Sequence, residues 1–130
     1  MKNLDVIGKS KFLSDTNIQD TIKKTFLDLN KKIDSKVEIK FVTLKDMKKL
    51  NLSYRNVDAA TDVISFPLKK IPGKENLLGS IVICEEYMAS VGGDTVELIK
   101  HGILHLLGHD HEIDPAKWTK VASQINHKMI

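Results

Sequence analysis

The run HGILHLLGHDH, residues 101–111, sets three imidazoles at separations that suit one metal ion. His101 and His105 stand four apart and share one face of a helix. Gly108 follows where that helix would end, because glycine takes the left-handed conformation that closes a last turn and lets the chain double back. His111 then reaches the same ion. Three neutral imidazoles without a fourth protein ligand form the arrangement of a catalytic zinc with an open position, whereas structural zinc sites are closed by four ligands rich in cysteine. The spacing therefore predicts one zinc ion, or another divalent transition metal, on His101, His105 and His111, with Lewis-acid chemistry on its open side. Four of the chain's five histidines lie in this run. His109, beside Gly108 on the turn, reads as a partly exposed neighbour of the metal and not as a ligand.

The same spacing matches the zinc-protease pattern H-E-x-x-H-x-x-G-x-x-H with one departure. Gly102 stands where those proteases carry the glutamate that serves as general base, so a metallopeptidase mechanism loses its proton acceptor. A glycine inside a helix costs roughly 1 kcal/mol relative to alanine. The missing side chain is therefore expected to have a use, such as letting a bulky substrate group approach the metal. A second chemical feature is Arg55, the one arginine in a chain with 20 basic residues. Its planar fork holds a phosphate by two parallel hydrogen bonds, where a lysine acts as a point charge. A surface ion pair or a charge at a helix C-terminus is the plainer alternative.

The elements that must carry these residues follow from periodicity and capping. Ile18, Ile22, Phe26, Leu29 and Ile33 keep a helical period after the capping types Ser14-Asp15-Thr16-Asn17. Val37, Ile39 and Phe41 alternate with Glu38 and Lys40 as in a half-buried strand. Thr43, with Asp46 three residues on, opens a second helix that places Met47, Leu50 and Tyr54 toward one side and ends near Arg55. Asp62 to Phe66 reads as a strand stopped by Pro67, and Leu77 to Cys84 as another, with a mobile loop from Leu68 to Asn76 between them. Asp94 and Glu97 start the histidine-bearing helix. Asp114 followed by Pro115 starts the last one. With Leu4 to Ile7 as an N-terminal strand, the prediction is an α+β fold: a small mixed sheet packed with helices, its metal site on a central helix and the turn after it.

At 130 residues, 42% of them hydrophobic, the chain is expected to form a single domain over residues 1–130. No apolar run is long enough to cross a membrane, and the start MKNLDVIGKS lacks a secretory stretch, so the expected location is the cytoplasm. Cys84 has no partner for a disulfide and reads as a small buried side chain. A formal charge of +3 is too weak to argue for nucleic acid by itself. The lysine pairs 23–24, 31–32, 48–49 and 69–70 read mainly as solvated faces. Aromatic residues are 5% of the chain and form no alternating stacking array, so contact with RNA would run mainly through phosphates, with weak sequence preference.

The segments LNLSYRNVDAATDVISFP, LGSIVIC and HGILHLLGHDH, taken together in order and spacing, resemble the YbeY family of bacterial endoribonucleases. The resemblance covers roughly the middle and C-terminal two-thirds. It implies a four-stranded sheet, the metal ligands His101, His105 and His111, and a functional, substrate-gripping role for Arg55. It also implies single-stranded ribosomal RNA as substrate, action on the ribosome or small-subunit precursor in forming the 3′ end of 16S RNA, and ribosome quality control. This chain departs from the family at Ser80, where an aspartate is usual, and at His109, where a tyrosine is usual. Trp118, Ala122 and Gln124 stand in the last helix where methionine and glutamates are common. Two rivals accompany this reading: a ribosome-associated RNA-binding factor with a structural metal, and a zinc metallopeptidase.

Overall fold

A computed structural model describes residues 3–68 and 77–127. The helix starts follow the caps. Ser14 accepts the amide of Asn17 at the head of α1 (Asp15–Asp28), Thr43 that of Asp46 at α2 (Leu44–Arg55), and Asp114 that of Lys117 at α5 (Pro115–Gln124). Asp94 does the same for Val96 and Glu97 at α4 (Thr95–Leu106). The strands are β1 (Leu4–Ile7), β2 (Lys36–Phe41), β3 (Val63–Pro67) and β4 (Leu77–Ile83).

They form one mixed sheet in the order β1-β2-β4-β3. β1 runs parallel to β2 and β2 parallel to β4, while β3 is antiparallel to β4. Alternation along the strands splits the core in two. Ile39, Ile81 and Ile83 join Ile18, Ile22 and Phe26 of α1 and Leu98, Ile99 and Ile103 of α4 on one face. Ile64 and Val82 meet Met47 of α2 on the other. Trp118, Val121 and Ile125 dock α5 onto Leu104. Cys84 is fully buried at the head of a short helix, α3 (Glu85–Ser90).

The helical period through Ile33 overruns α1, which stops at Asp28 because Asn30 turns left-handed at φ 56°. The amide of Lys31 then reaches back to the carbonyl of Phe26. Ile33 still packs against the core, but from the following loop. Pro67 lies within β3 instead of stopping it, which an edge strand allows because one side of its backbone needs no partner. α3 was not anticipated; six residues are too few to show a period. The expected mobile loop falls, beyond Leu68, on residues 69–76 and lies outside the described residues, as does the pair Lys69–Lys70.

Candidate metal centre

α4 presents two stripes. Leu98, Ile99, Ile103 and Leu106 are buried against the sheet and α1, so His101 and His105 are left on the flank that faces a cleft. Gly102 sits on the buried side. A Cβ there would lie 2.7–2.9 Å from three side-chain carbons of Ile81, so the glycine serves the close approach of helix and sheet. This overturns the expectation that it clears room for substrate.

The turn after α4 is a Schellman closure. Gly108 adopts φ 91°. Its amide donates to the carbonyl of His105, and that of His109 to the carbonyl of Leu104, both at 3.0 Å. Asp110 then accepts the amides of Glu112 at 2.7 Å and Ile113 at 3.3 Å. These bonds hold its carboxyl below the ordinary range, the Glu112 amide most strongly. The loop so folded returns His111 to the helix. One ring nitrogen from each of His101, His105 and His111 lies within 4.8 Å of the others. His109 stands outside that group, half-buried, as expected.

The donor set suits a metal. Nε2 of His101 is 3.1 Å from Nε2 of His105. Two ligands of a tetrahedral zinc, each 2.0–2.1 Å from it, would be separated by about 3.3 Å. Trp118, 1% exposed, forms a floor with ring centroids 4.9, 5.2 and 5.3 Å from those of His101, His105 and His111. Burial, followed by the rings of His105, His127 and His111, lowers the pKa of His101 to about 3. Burial also lowers that of His105, against the opposing pull of Asp110. Neutral rings keep the lone pairs that a metal needs.

Arg55 ends α2, and Asn56, at φ 57°, closes the helix behind it. The amide of Val57 donates to the carbonyl of Asn51, whose side chain in turn donates to the carbonyl of Ala59 at 2.8 Å. This pins the chain after α2 and brings Arg55 to the same cleft, of about 430 Å³, as the three histidines. Its charge helps to lower the pKa of His105. Among the described residues no carboxylate forms an ion pair with it.

Two contributions went unread in the sequence. Tyr54, which the helical period sets on one side of α2 with Met47 and Leu50, is 67% exposed and meets Phe66 edge to face at 4.8 Å, both lining the cleft. His127 also approaches the centre: its Nε2 is 3.2 Å from Nδ1 of His101. The only signal for it was that a fifth histidine remained outside the run. Ser80, in the family's aspartate position, donates to Glu38 at 2.8 Å across β2 and β4 and does not line the cleft.

The chain is similar to known proteins. The sequence model of the family Endoribonuclease YbeY matches residues 6–129. An endoribonuclease YbeY of Nautilia profundicola is 40% identical over 104 residues, covering 74% of this chain and 73% of the relative. That of Sulfurimonas denitrificans is 41% identical over 93 residues, 65% of this chain and 66% of the relative. The match to one from an Anaeromyxobacter species, 41% identical, covers 61% of this chain but 45% of the relative. A Thermotoga maritima protein known from a solution structure superposes with a TM-score of 0.54 at 25% identity, covering 95% of this chain and 87% of that one. By the family model and by its relatives, the chain belongs to the YbeY endoribonucleases.

Proposed function

We propose that this chain is a metal-dependent endoribonuclease specific for single strands, acting in the cytoplasm on 16S ribosomal RNA or its small-subunit precursor, in 3′-end maturation and ribosome quality control. Residues 1–130 serve as its one catalytic domain. A single observation carries the reading: three converging histidines and a guanidinium with no carboxylate ion-pair partner among the described residues share one cleft.

In this reading His101, His105 and His111 hold a zinc-like ion, which when bound supplies Lewis acidity for phosphodiester cleavage. Arg55 grips the phosphodiester and neutralises charge that grows in the transition state. Trp118, buried against the three histidine rings, keeps water from their rear. Asp110 fixes the loop that carries His111 and, with Glu112, lines the cleft. The exposed ring of Tyr54 offers a stacking surface that an unpaired base can use and a base inside a duplex cannot.

A peptidase remains disfavoured, because the position of its general base is a glycine packed against Ile81. The test pairs metal analysis with activity. The purified chain should carry close to one zinc-like ion and cleave single-stranded RNA but not peptides, and chelation should abolish cleavage. Full cleavage in chelator would remove the metal from the reaction. RNA or ribosome binding with no cleavage by the metal-loaded chain would favour the binding factor.

A further inference from the structure

The α5 helix closes through Asn126, at φ 52°, and the amide of His127 donates to the carbonyl of Ala122 at 2.9 Å. That turn drives the His127 side chain, 0% exposed, between α5 and α4. There it forms the middle of a chain of hydrogen bonds. Its Nδ1 is 3.1 Å from Oε2 of Glu97, and its Nε2 is 3.2 Å from Nδ1 of His101. Lys100 stands 3.9 Å from the same Glu97 oxygen.

The carboxylate end sets the direction of the whole chain. A carboxylate oxygen only accepts, so Nδ1 of His127 carries the proton. A neutral imidazole has one N–H, so Nε2 of His127 presents a lone pair. Nδ1 of His101 must then donate to it, and the lone pair of His101 is left on Nε2, the atom 3.1 Å from Nε2 of His105. We propose that His127 is a positioning residue, which with Glu97 fixes the tautomer and ring angle of His101 so that its Nε2 is ready for the metal. Metal-binding histidines commonly give their second N–H directly to a carboxylate or carbonyl. Here an imidazole is interposed between ligand and carboxylate, so a residue at the far end of the chain orients one on the central helix.

The proposal rests on the metal reading of the histidine cluster, and its test keeps the two apart. Nitrogen-15 NMR of the metal-free wild-type chain should find His101 protonated on Nδ1 and bare on Nε2. Zinc affinity, measured by competition with a chromophoric chelator, should fall about ten- to a hundredfold in His127→Leu. His127→Gln offers an amide oxygen close to the place of Nε2, and should stay within about threefold of wild type, as expected for a hydrogen-bonded second partner. A His101 protonated on Nε2 in the wild-type chain would overturn the assignment, as would undiminished zinc binding by His127→Leu. Equal losses in the Leu and Gln variants would also overturn it, since they would mark His127 as a packing group or as a ligand itself. Should His127→Leu fail to fold, the wild-type tautomer and the Gln variant decide the matter. A wild-type chain that binds no zinc would defeat the metal reading and the positioning role together, whereas zinc bound at full affinity by His127→Leu defeats the positioning role alone.

Discussion

Arg55 ends α2 with its side chain exposed, so replacing it alters the cleft without opening the core. Arg55→Lys keeps the charge and loses the fork, and is therefore not a conservative change at a site that holds phosphate bidentately. Loss of one transition-state contact of this kind costs roughly 3 kcal/mol, about a hundredfold in kcat. Single-stranded RNA cleavage should fall by that order in Arg55→Lys and further in Arg55→Ala, with metal content and Tm near wild type. Cleavage by Arg55→Lys at the wild-type rate, at matched salt and saturating substrate, would return Arg55 to a surface charge. Tyr54 calls for a different readout. Base stacking on an aromatic ring contributes roughly 1–3 kcal/mol, so Tyr54→Ala should raise KM for single-stranded RNA about tenfold while kcat changes little. An unchanged KM would exclude stacking on Tyr54. His105→Ala should release the metal, and Trp118, the chain's one tryptophan, is placed to report it. Its ring centroid lies 5.2 Å from that of His105, so Co2+ should quench its emission in the wild-type chain and not in the variant.

At the scale of elements, the seat of α4 on β4 decides where two of the three candidate ligands point. Gly102→Ala gains roughly 1 kcal/mol of helix propensity, but its new methyl meets the fully buried Ile81 at 2.7–2.9 Å. Overpacking of this kind costs roughly 1–3 kcal/mol. The variant should therefore be less stable than wild type, as read by urea midpoint, and the loss should shrink when Ile81→Val removes one of the crowding carbons. A glycine kept for substrate access would behave oppositely, with Gly102→Ala more stable and only substrate binding impaired. The turn beyond α4 is constrained by conformation instead of contact. Nothing lies within 4 Å of a Cβ built on Gly108, yet its φ of 91° is strained for any residue with a side chain. Such a residue in the left-handed region costs roughly 1–2 kcal/mol.

Across the whole molecule, burying imidazoles makes stability depend on pH. His101 has an ordinary value of 6.5 and a folded value of about 3, and burial lowers His105 and His127 as well. Between those limits the unfolded chain binds more protons than the folded one, so stability rises with pH across the window. The metal-free protein should be at full strength above about pH 6.5 and weaken as the pH falls toward 3. His101 alone accounts for a loss on the order of 2 kcal/mol by pH 5. Urea midpoints measured in chelator at pH 7.5 and 5 check this, and equal midpoints would mean that the folded rings protonate as freely as unfolded ones.

The parts legible without coordinates are those decided within a turn or two of the chain. Ser14, Thr43, Asp94 and Asp114 cap their helices because a side chain and an amide two or three residues on are neighbours in any fold. His101, His105 and His111 converge for the same reason, since helical spacing and one glycine turn bring them together inside eleven residues. The strands announced themselves by alternation, but not their order β1-β2-β4-β3, which depends on how helices cross the sheet. That order alone makes β3 an edge and lets Pro67 remain in it. It also sets Ile81 beneath Gly102, turning an apparent opening for substrate into a packing contact. Tyr54 followed the helical period of α2, yet the end of that helix overhangs the cleft, and exposure is a property of what lies opposite. His127 is the extreme case. Its sequence neighbourhood has no metal-site spacing, and only the packing of α5 on α4 carries it to His101. Local periodicity and capping are short-range consequences of backbone geometry, whereas contacts between distant segments exist only once the layers have been stacked.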